Sequence, residues 1–265
     1  MSTTVEYDTL LFAVEDGVAH LTLNRPQAAN ALNSQMALDL FDAAVRCDQD
    51  PAVRAVLITG AGKLFSGGGD LREFATREDL AGHLKKLTYY FHAAMSCLAR
   101  TDAPVIAAVN GTAGGAGMSL VCACDIVYAA ESARFTMAYT NAGLTPDGSS
   151  TYFLPRIVGL KRALELALTN RRLSAQEALA FGIVSRVLPD DQVLGEATAL
   201  AVQLAAGPTR AFGVTKRLLH AGMTESLETQ MEREARGIID ISHTADAREG
   251  IAAFLEKRRP AFKGE

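Results

Sequence analysis

Along the chain, short unbroken apolar runs alternate with apolar stripes at helical spacing. Runs at 10–14 and 18–23 flank Glu15-Asp16-Gly17 and predict a β-hairpin, which Asn24-Arg25-Pro26 ends. Over 31–47, Met36, Leu40, Ala43, Ala44 and Cys47 recur at helical spacing and predict a helix that stops at Asp50-Pro51. Runs at 54–60, 105–109 and 125–129 predict buried strands, a short strand begins at Phe135, and a long helical pattern fills 78–98. From Ser150 on, only helical spacing is visible, over 163–168, 174–181, 192–206, 209–221, 226–241 and 246–257, with a capping box at Ser174-Ala175-Gln176-Glu177.

Strands alternating with helices, each strand running into a glycine loop, predict an α/β core around a largely parallel sheet. Ligands of such sheets sit at the carboxyl ends of the strands, so the loops after 54–60 and 105–109 are expected on one edge. The core is expected over 1–200, with 201–265 as a helical region packed on it or on another subunit. Ile238, Ile239, Ile241, Ile251, Phe254 and Leu255 are many large apolar groups for that region. They either complete the chain's own core or meet a neighbour.

With 265 residues, 49% of them hydrophobic and 21% charged, the chain is long and apolar enough to bury a sizeable core. A net charge of −4 with no long single-sign run leaves no basic surface for nucleic acid or a membrane. The first residues, MSTTVEYDTLLF, carry neither a basic segment before an apolar stretch nor an Arg-rich amphipathic pattern, so a cytoplasmic location is the expectation. Cys47, Cys97, Cys122 and Cys124 are expected as buried reduced thiols; Cys122 and Cys124 lie in the most apolar part of the chain with no histidine nearby, and no metal is expected.

The candidate chemistry starts in PVIAAVNGTAGGAGMSLVCACD at 104–125, which reads strand, glycine loop, helix. The first N–H groups of a helix have no intrahelical partner, and small residues let a ligand oxygen reach them. Phosphate is a poor fit, because the Lys-Ser/Thr ending of a P-loop is absent and Leu120 stands where a dinucleotide fingerprint needs its last glycine. Taken alone, the segment fits either an anion site or close packing of helix on sheet.

Together with Leu23-Asn24-Arg25-Pro26, Asn30-Ala31-Leu32, FSGGGDL at 65–71, CDIVYA at 124–129 and EGIAAFLEKRRPAF at 249–262, this segment resembles the crotonase (enoyl-CoA hydratase/isomerase) superfamily over nearly the whole chain. The resemblance implies a ββα spiral core, a C-terminal helical region that assembles homotrimers or homohexamers, and acyl-CoA thioester substrates, with CoA as part of the substrate and no separate cofactor. It implies an oxyanion hole made by the N–H groups of Gly69 and Ala116, CoA along Ser66, Gly67, Gly68, Asp70 and Leu71, and Lys257 reaching a neighbour's CoA phosphates. Where the family commonly has glycine this chain has Ala116, so its methyl must point away from the thioester oxygen.

The two glutamates that hydratases of the family use correspond to Ser119 and Tyr139, which disfavours simple hydration. Asp147, in Gly-Leu-Thr-Pro-Asp-Gly, could be an ordinary turn residue bonded to nearby backbone. Isomerases of the superfamily, including the ring-epoxide isomerase of phenylacetate catabolism, are similar here, and Tyr152-Phe153-Leu154-Pro155-Arg156 extends the likeness; the resemblance makes Asp147 the acid/base. The expected function is therefore an acyl-CoA isomerase, with a hydratase-like or hydrolytic member and a weakly catalytic CoA-binding scaffold as alternatives. His83 and His92 read as surface or packing residues of the long helix, His20, His220 and His243 show no partner, and Arg72 and Glu73 read as solvated. No Gly-x-Ser-x-Gly elbow is present to suggest a serine hydrolase.

Overall fold

The computed structural model of the protein describes residues 3–265. In chain order, β1 (Thr3–Glu6), β2 (Leu10–Glu15) and β3 (Val18–Leu23) form an antiparallel meander, and α1 (Ser34–Gln49) leads to β4 (Ala55–Gly60). A loop, the short α2 (Leu71–Ala75) and the long α3 (Leu80–Arg100) precede β5 (Val105–Val109), β6 (Ala113–Gly114), α4 (Ala116–Ala123), β7 (Ile126–Ala130) and β8 (Arg134–Thr136). The rest is α5 (Ser150–Val158), α6 (Leu160–Thr169), β9 (Leu173–Ser174), α7 (Ala175–Ala180), β10 (Arg186–Leu188), α8 (Val193–Ala205), α9 (Thr209–Gly222), α10 (Leu227–Ser242) and α11 (Ala245–Glu256).

The main sheet has the order β1-β2-β3-β4-β5-β7-β10 and is parallel from β3 onward; β6, β8 and β9 make a second, small sheet. Because successive side chains on a strand point to opposite faces, β4 and β5 feed two cores. Val56, Ile58, Val105, Ala107 and Val109 face the larger one, shared with the buried stripe of α1 (Met36, Leu40, Ala43, Ala44, Cys47) and with α3 and α4. Ala55, Leu57, Ile106 and Ala108 face the other side, where Ala197, Ala201 and Ala205 of α8 lie on them. Three alanines at i, i+4 and i+8 let the helix backbone sit close to the sheet. Helix α8 thus runs through residue 200 as part of the core, so the division expected at 200/201 falls inside one packed element.

The sequence pattern missed four short strands, one of them β6 inside the segment read as a glycine loop. The sequence of β1, Thr-Thr-Val-Glu, has no run to read, and β9 and β10 interrupt the expected all-helical half with pieces of two and three residues. Such pieces are stabilised by pairing rather than propensity: β10 extends the main sheet beside β7, and β9 pairs with β8. Helix α1 begins at Ser34 rather than at 31, because the Asn33 side chain accepts the N–H of Met36 and caps it there. Cys47 and Cys122 are buried and their thiols are pushed up to about 12 by desolvation, as reduced core sulfurs are.

The C-terminal helices are tied to the core by polar contacts as much as by apolar ones. Lys216 of α9 is buried and reaches Asp125 at 2.7 Å and the carbonyls of Leu98 and Ala103 at 3.3 Å. Arg54 donates to the carbonyls of Gly207 and Phe262, and Asp246 accepts the N–H groups of Lys263 and Gly264 at 2.7 Å, folding the tail back on its own chain. Removing one partner of a buried pair leaves the other uncompensated. Lys216→Met is therefore expected to lower unfolding free energy by about 3 kcal/mol in urea denaturation, and adding Asp125→Asn should cost less than the two single losses together.

Candidate active site

The loops after β4 and β5 lie on the same sheet edge and are stitched together. Ser66 N–H donates to the Thr112 carbonyl at 3.1 Å and Gly114 N–H to the Ser66 carbonyl at 2.9 Å. On its other side the first loop pairs with residue 32: Leu32 N–H donates to the Gly68 carbonyl at 2.7 Å, and Asp70 N–H to the Leu32 carbonyl at 2.9 Å. Fully buried Asn30 donates to the carbonyls of Ala61 and Leu64, while Ser66 Oγ donates to the Asn30 carbonyl.

These ties leave two donors over. Within the described residues, the N–H groups of Gly69 and Ala116 meet no acceptor: Gly69 sits between the bonded positions of its bridge to Leu32, and Ala116 opens α4. The loops can approach only because of glycine at several places: a Cβ on Gly111 would collide with the Lys63 carbonyl, and one on Gly117 would lie 2.8 Å from the Ser66 carbonyl oxygen. A Cβ on Gly68 (φ +106°) would lie 3.0 Å from the Gly114 carbonyl oxygen, and one on Gly115 (φ +50°) 3.3 Å from the Gly68 Cα.

Gly69, Ala116 and Asp147 line one apolar cavity of about 230 Å³, walled by Leu71, Phe74, Leu84, Leu87 and Leu144 among others. Asp147 does open a hydrogen-bonded turn, its carbonyl accepting the Ser150 N–H at 3.2 Å, but its carboxylate is not spent on that turn. Its main-chain carbonyl accepts from Ser119 Oγ and Ser150 Oγ, and its carboxylate Oδ1 accepts the Tyr139 hydroxyl at 2.7 Å. Gly148 and Ser149, both at positive φ, turn the chain into α5 directly after it. Ser119 Oγ and Tyr139 OH are 2.8 Å apart. A carboxylate must receive a hydrogen, so Tyr139 donates to Asp147, and Ser119 is left to donate to Tyr139 or to main-chain carbonyls. Burial, reinforced by the Asp147 charge, pushes the Tyr139 hydroxyl well above the usual tyrosine range. It stays a neutral donor.

The two positions expected to carry carboxylates in a hydratase are thus hydroxyls in a chain that ends on Asp147. One neighbour went unread. His92, taken from the sequence as a surface or packing residue, places Nε2 3.5 Å from Asp147 Oδ2 and accepts the Gly148 N–H there at 3.1 Å. Its signal was available in the spacing: Leu84, Thr88 and His92 follow one another at i, i+4 and i+8 on the face of α3 whose first two members line the cavity. His83 does pack, edge-on to Phe74 with ring centroids 5.8 Å apart.

Of the loop residues expected along CoA, Gly67 and Leu71 line the cavity. Ser66 and Asp70 have their polar atoms spent inside the fold. The Asp70 carboxylate caps α2 through the N–H groups of Arg72 and Glu73 and pairs with Arg25 at 2.9 Å; burial alone would push its carboxyl up, but Arg25 and the two N–H groups outweigh this and hold it below the usual range. Glu73 is likewise no solvated residue, since it accepts the Ser34 N–H at 3.0 Å and pairs with Arg77. Lys257 ends α11, exposed and in the left-handed conformation, and is not part of the cavity wall.

The strand-end loops of the parallel sheet thus bring Gly69, Ala116 and one carboxylate, Asp147, to the wall of one apolar cavity. The fold is the crotonase fold: the solved enoyl-CoA hydratase from Polaromonas sp. JS666 superimposes with a TM-score of 0.91 at 34% identity, covering 96% of this chain and 99% of that one. Residues 13–265 match the enoyl-CoA hydratase/isomerase family, and the chain belongs to it. Similar curated proteins carry different activities in their names. A "Probable enoyl-CoA hydratase" of Rhodobacter capsulatus is 39% identical over 98% of this chain and 100% of its own length. The 1,2-epoxyphenylacetyl-CoA isomerase of Escherichia coli is 38% identical (97% and 98%), and the 4-chlorobenzoyl coenzyme A dehalogenase-2 of an Arthrobacter species is 38% identical (91% and 88%).

If Tyr139 is held as a buried neutral donor, it should not ionise with the exposed tyrosines. Spectrophotometric titration of the wild type and Tyr139→Phe should give the same gain in phenolate absorbance through about pH 10, the ordinary tyrosine value. One extra phenolate in the wild type over that range would contradict the burial and hydrogen bonding described.

Proposed function

We propose that the protein is an acyl-CoA isomerase that shifts a double bond, from 3-enoyl-CoA to 2-enoyl-CoA or within a ring-acyl-CoA. One observation carries the reading: among the described residues, Asp147 is the single carboxylate lining the cavity that also presents the amides of Gly69 and Ala116. In this reading the thioester oxygen takes both N–H groups, and Asp147 removes a proton from C2. The C–H electrons spread over the dienolate, and the same carboxyl returns the proton at C4. Each amide is worth about 2.7–4 kcal/mol once charge develops on the oxygen. Hydration needs a second group to hold and activate water, and the raised Tyr139 hydroxyl is no base. A relative named as an isomerase supports the choice.

A second reading is favoured by the approach of His92 to Asp147 and by the relative named for dehalogenation of 4-chlorobenzoyl coenzyme A. A nucleophile adding to a ring carbon conjugated with the thioester sends charge to the same oxygen, and chloride leaves as aromaticity returns. An Asp and a His side by side at the cavity wall suit delivery of that nucleophile. Assay of a 3-enoyl-CoA, a 2-enoyl-CoA and 4-chlorobenzoyl-CoA separates the readings. The expected result is double-bond shift, lowered about 10²–10⁴-fold in kcat by Asp147→Asn with acyl-CoA binding retained. Hydration at full rate in Asp147→Asn would sink the assignment of Asp147, chloride release without double-bond shift would favour the second reading, and binding without turnover would favour a scaffold.

Assembly as a trimer or a pair of trimers belongs to the same proposal. Ile238, Ile251, Phe254 and Leu255 of α10 and α11 are 72%, 65%, 83% and 75% exposed in the protomer, far more than isolated surface apolar residues need explain. With a neighbour on that face, Lys257 comes within range of an adjacent CoA. Sedimentation at micromolar concentration should give at least three times the 28.2 kDa chain mass. A fully active species at the single-chain mass would overturn the assembly.

A further inference from the structure

The two oxygens of Asp147 face different surroundings. Oδ1 accepts the Tyr139 hydroxyl, and Tyr139 and Asp147 together line the apolar cavity, where among the described lining residues no other carboxylate, imidazole or amine stands. Oδ2 faces His92, and behind it lies a second, open cavity of about 730 Å³ that Asp147 and His92 both line, with Ser96, Ser149 and His220 further along its wall. The His92 side chain is 51% exposed. Asp147 therefore lies in the wall between the apolar cavity and the larger one, and His92 is the titratable group beside it in the larger one.

We infer that His92 is a proton relay that connects Asp147 to solvent, setting how often a proton taken from the acyl chain is lost to water before it is returned. This rests on the reading of Asp147 as acid/base. The hydrogen bond from Gly148 N–H marks Nε2 as unprotonated and Nδ1 as the protonated nitrogen. When Asp147 takes a substrate proton on Oδ2, a small side-chain rotation closes 3.5 Å to hydrogen-bond length, and the proton passes to Nε2 as the Gly148 bond gives way. The carboxylate is restored and the imidazole is briefly a cation. Its Nδ1 proton then leaves to water in the outer cavity, so that one proton enters the ring and one leaves it. Imidazole is the side chain that gains and loses a proton most readily near neutral pH. Without the relay, the proton on Asp147 has no basic side chain beside it to carry it toward the outer cavity, and it goes back to carbon more often.

Two reactions on the same enzyme separate this role from a structural one. Isomerisation of a 3-enoyl-CoA needs only a proton that travels with Asp147, whereas exchange of the α-hydrogens of a saturated acyl-CoA such as butyryl-CoA with D₂O needs the proton to reach solvent. His92→Gln keeps an acceptor for the Gly148 N–H but carries no proton, and His92→Phe removes both. We expect His92→Gln to lower α-exchange at least 10-fold with isomerisation held within a few-fold and the melting temperature unchanged, and added imidazole to restore exchange in His92→Phe. Equal exchange in wild type and His92→Gln overturns the relay, as does a parallel fall of both reactions in that variant. Wild-type exchange without isomerisation overturns the isomerase reading alone, since the comparison of exchange rates still decides the relay. A wild type that neither exchanges nor isomerises overturns both.

Discussion

The structure depends on holding Gly69 and Ala116, whose N–H groups meet no acceptor among the described residues, at the wall of an apolar cavity. A buried donor left unsatisfied costs about 1–3 kcal/mol, and a loop free to move would turn such an amide toward the nearest carbonyl. The segment 66–70 is prevented from doing so on both sides. Residues 29–32 bond it from one flank and 112–114 from the other, the buried Asn30 amide holds the entry to the loop, and Asp70 fixes its exit by capping α2 and pairing with Arg25. Gly68, Gly111, Gly115 and Gly117 are among the points where the two loops touch. The Asp70 carboxylate thus serves the site without entering it, and Glu73 does the same one turn later by clamping α2 to the start of α1.

A second constraint concerns how hydrogens are shared beside the amides. Ser119, Tyr139 and Asp147 form a chain with two hydroxyl hydrogens and a carboxylate acceptor, and this fixes Tyr139 as the donor to Oδ1. The chain immobilises Asp147 through a partner that cannot itself ionise, so orientation is gained without a second negative charge in the cavity. Had carboxylates stood at 119 and 139, three acids would surround one small chamber, and like charges that close cannot all remain ionised. The hydroxyls remove that competition and leave one carboxylate at the cavity wall among the described residues.

Much of this was legible from residues alone, and the reasons differ by feature. The parallel core could be read because β4 and β5 are buried on both faces and hence continuous apolar runs, while α1 shows its one buried face as a stripe. Both glycine loops could be placed on one edge for the same reason. What stayed hidden was held by pairing or by distance. The strands β9 and β10 have no pattern of their own, and Asp70 looked like a ligand contact because its partner Arg25 lies 45 residues away. The Pro-Asp-Gly at 146–148 could be an ordinary turn until the side chain of Asp147 was seen to reach Tyr139 rather than local backbone. His92 lies 56 residues before Gly148, and only the face of α3 it occupies connects the two.

The single carboxylate also explains why the cavity can be apolar. In the proposed reaction, enolate formation would move a proton to Asp147 as negative charge appears on the thioester oxygen, so the chamber would carry one negative charge before the step and one after it, displaced from the carboxylate to the oxygen beside Gly69 and Ala116. In a low-dielectric space the dominant cost is a change in net charge, and here the net charge is constant while fixed dipoles wait at both ends of the transfer. The Tyr139 hydroxyl solvates the starting charge, and the two free amides solvate the final one. A cavity walled by leucines would be tolerable in that reaction, because no intermediate adds a charge to it.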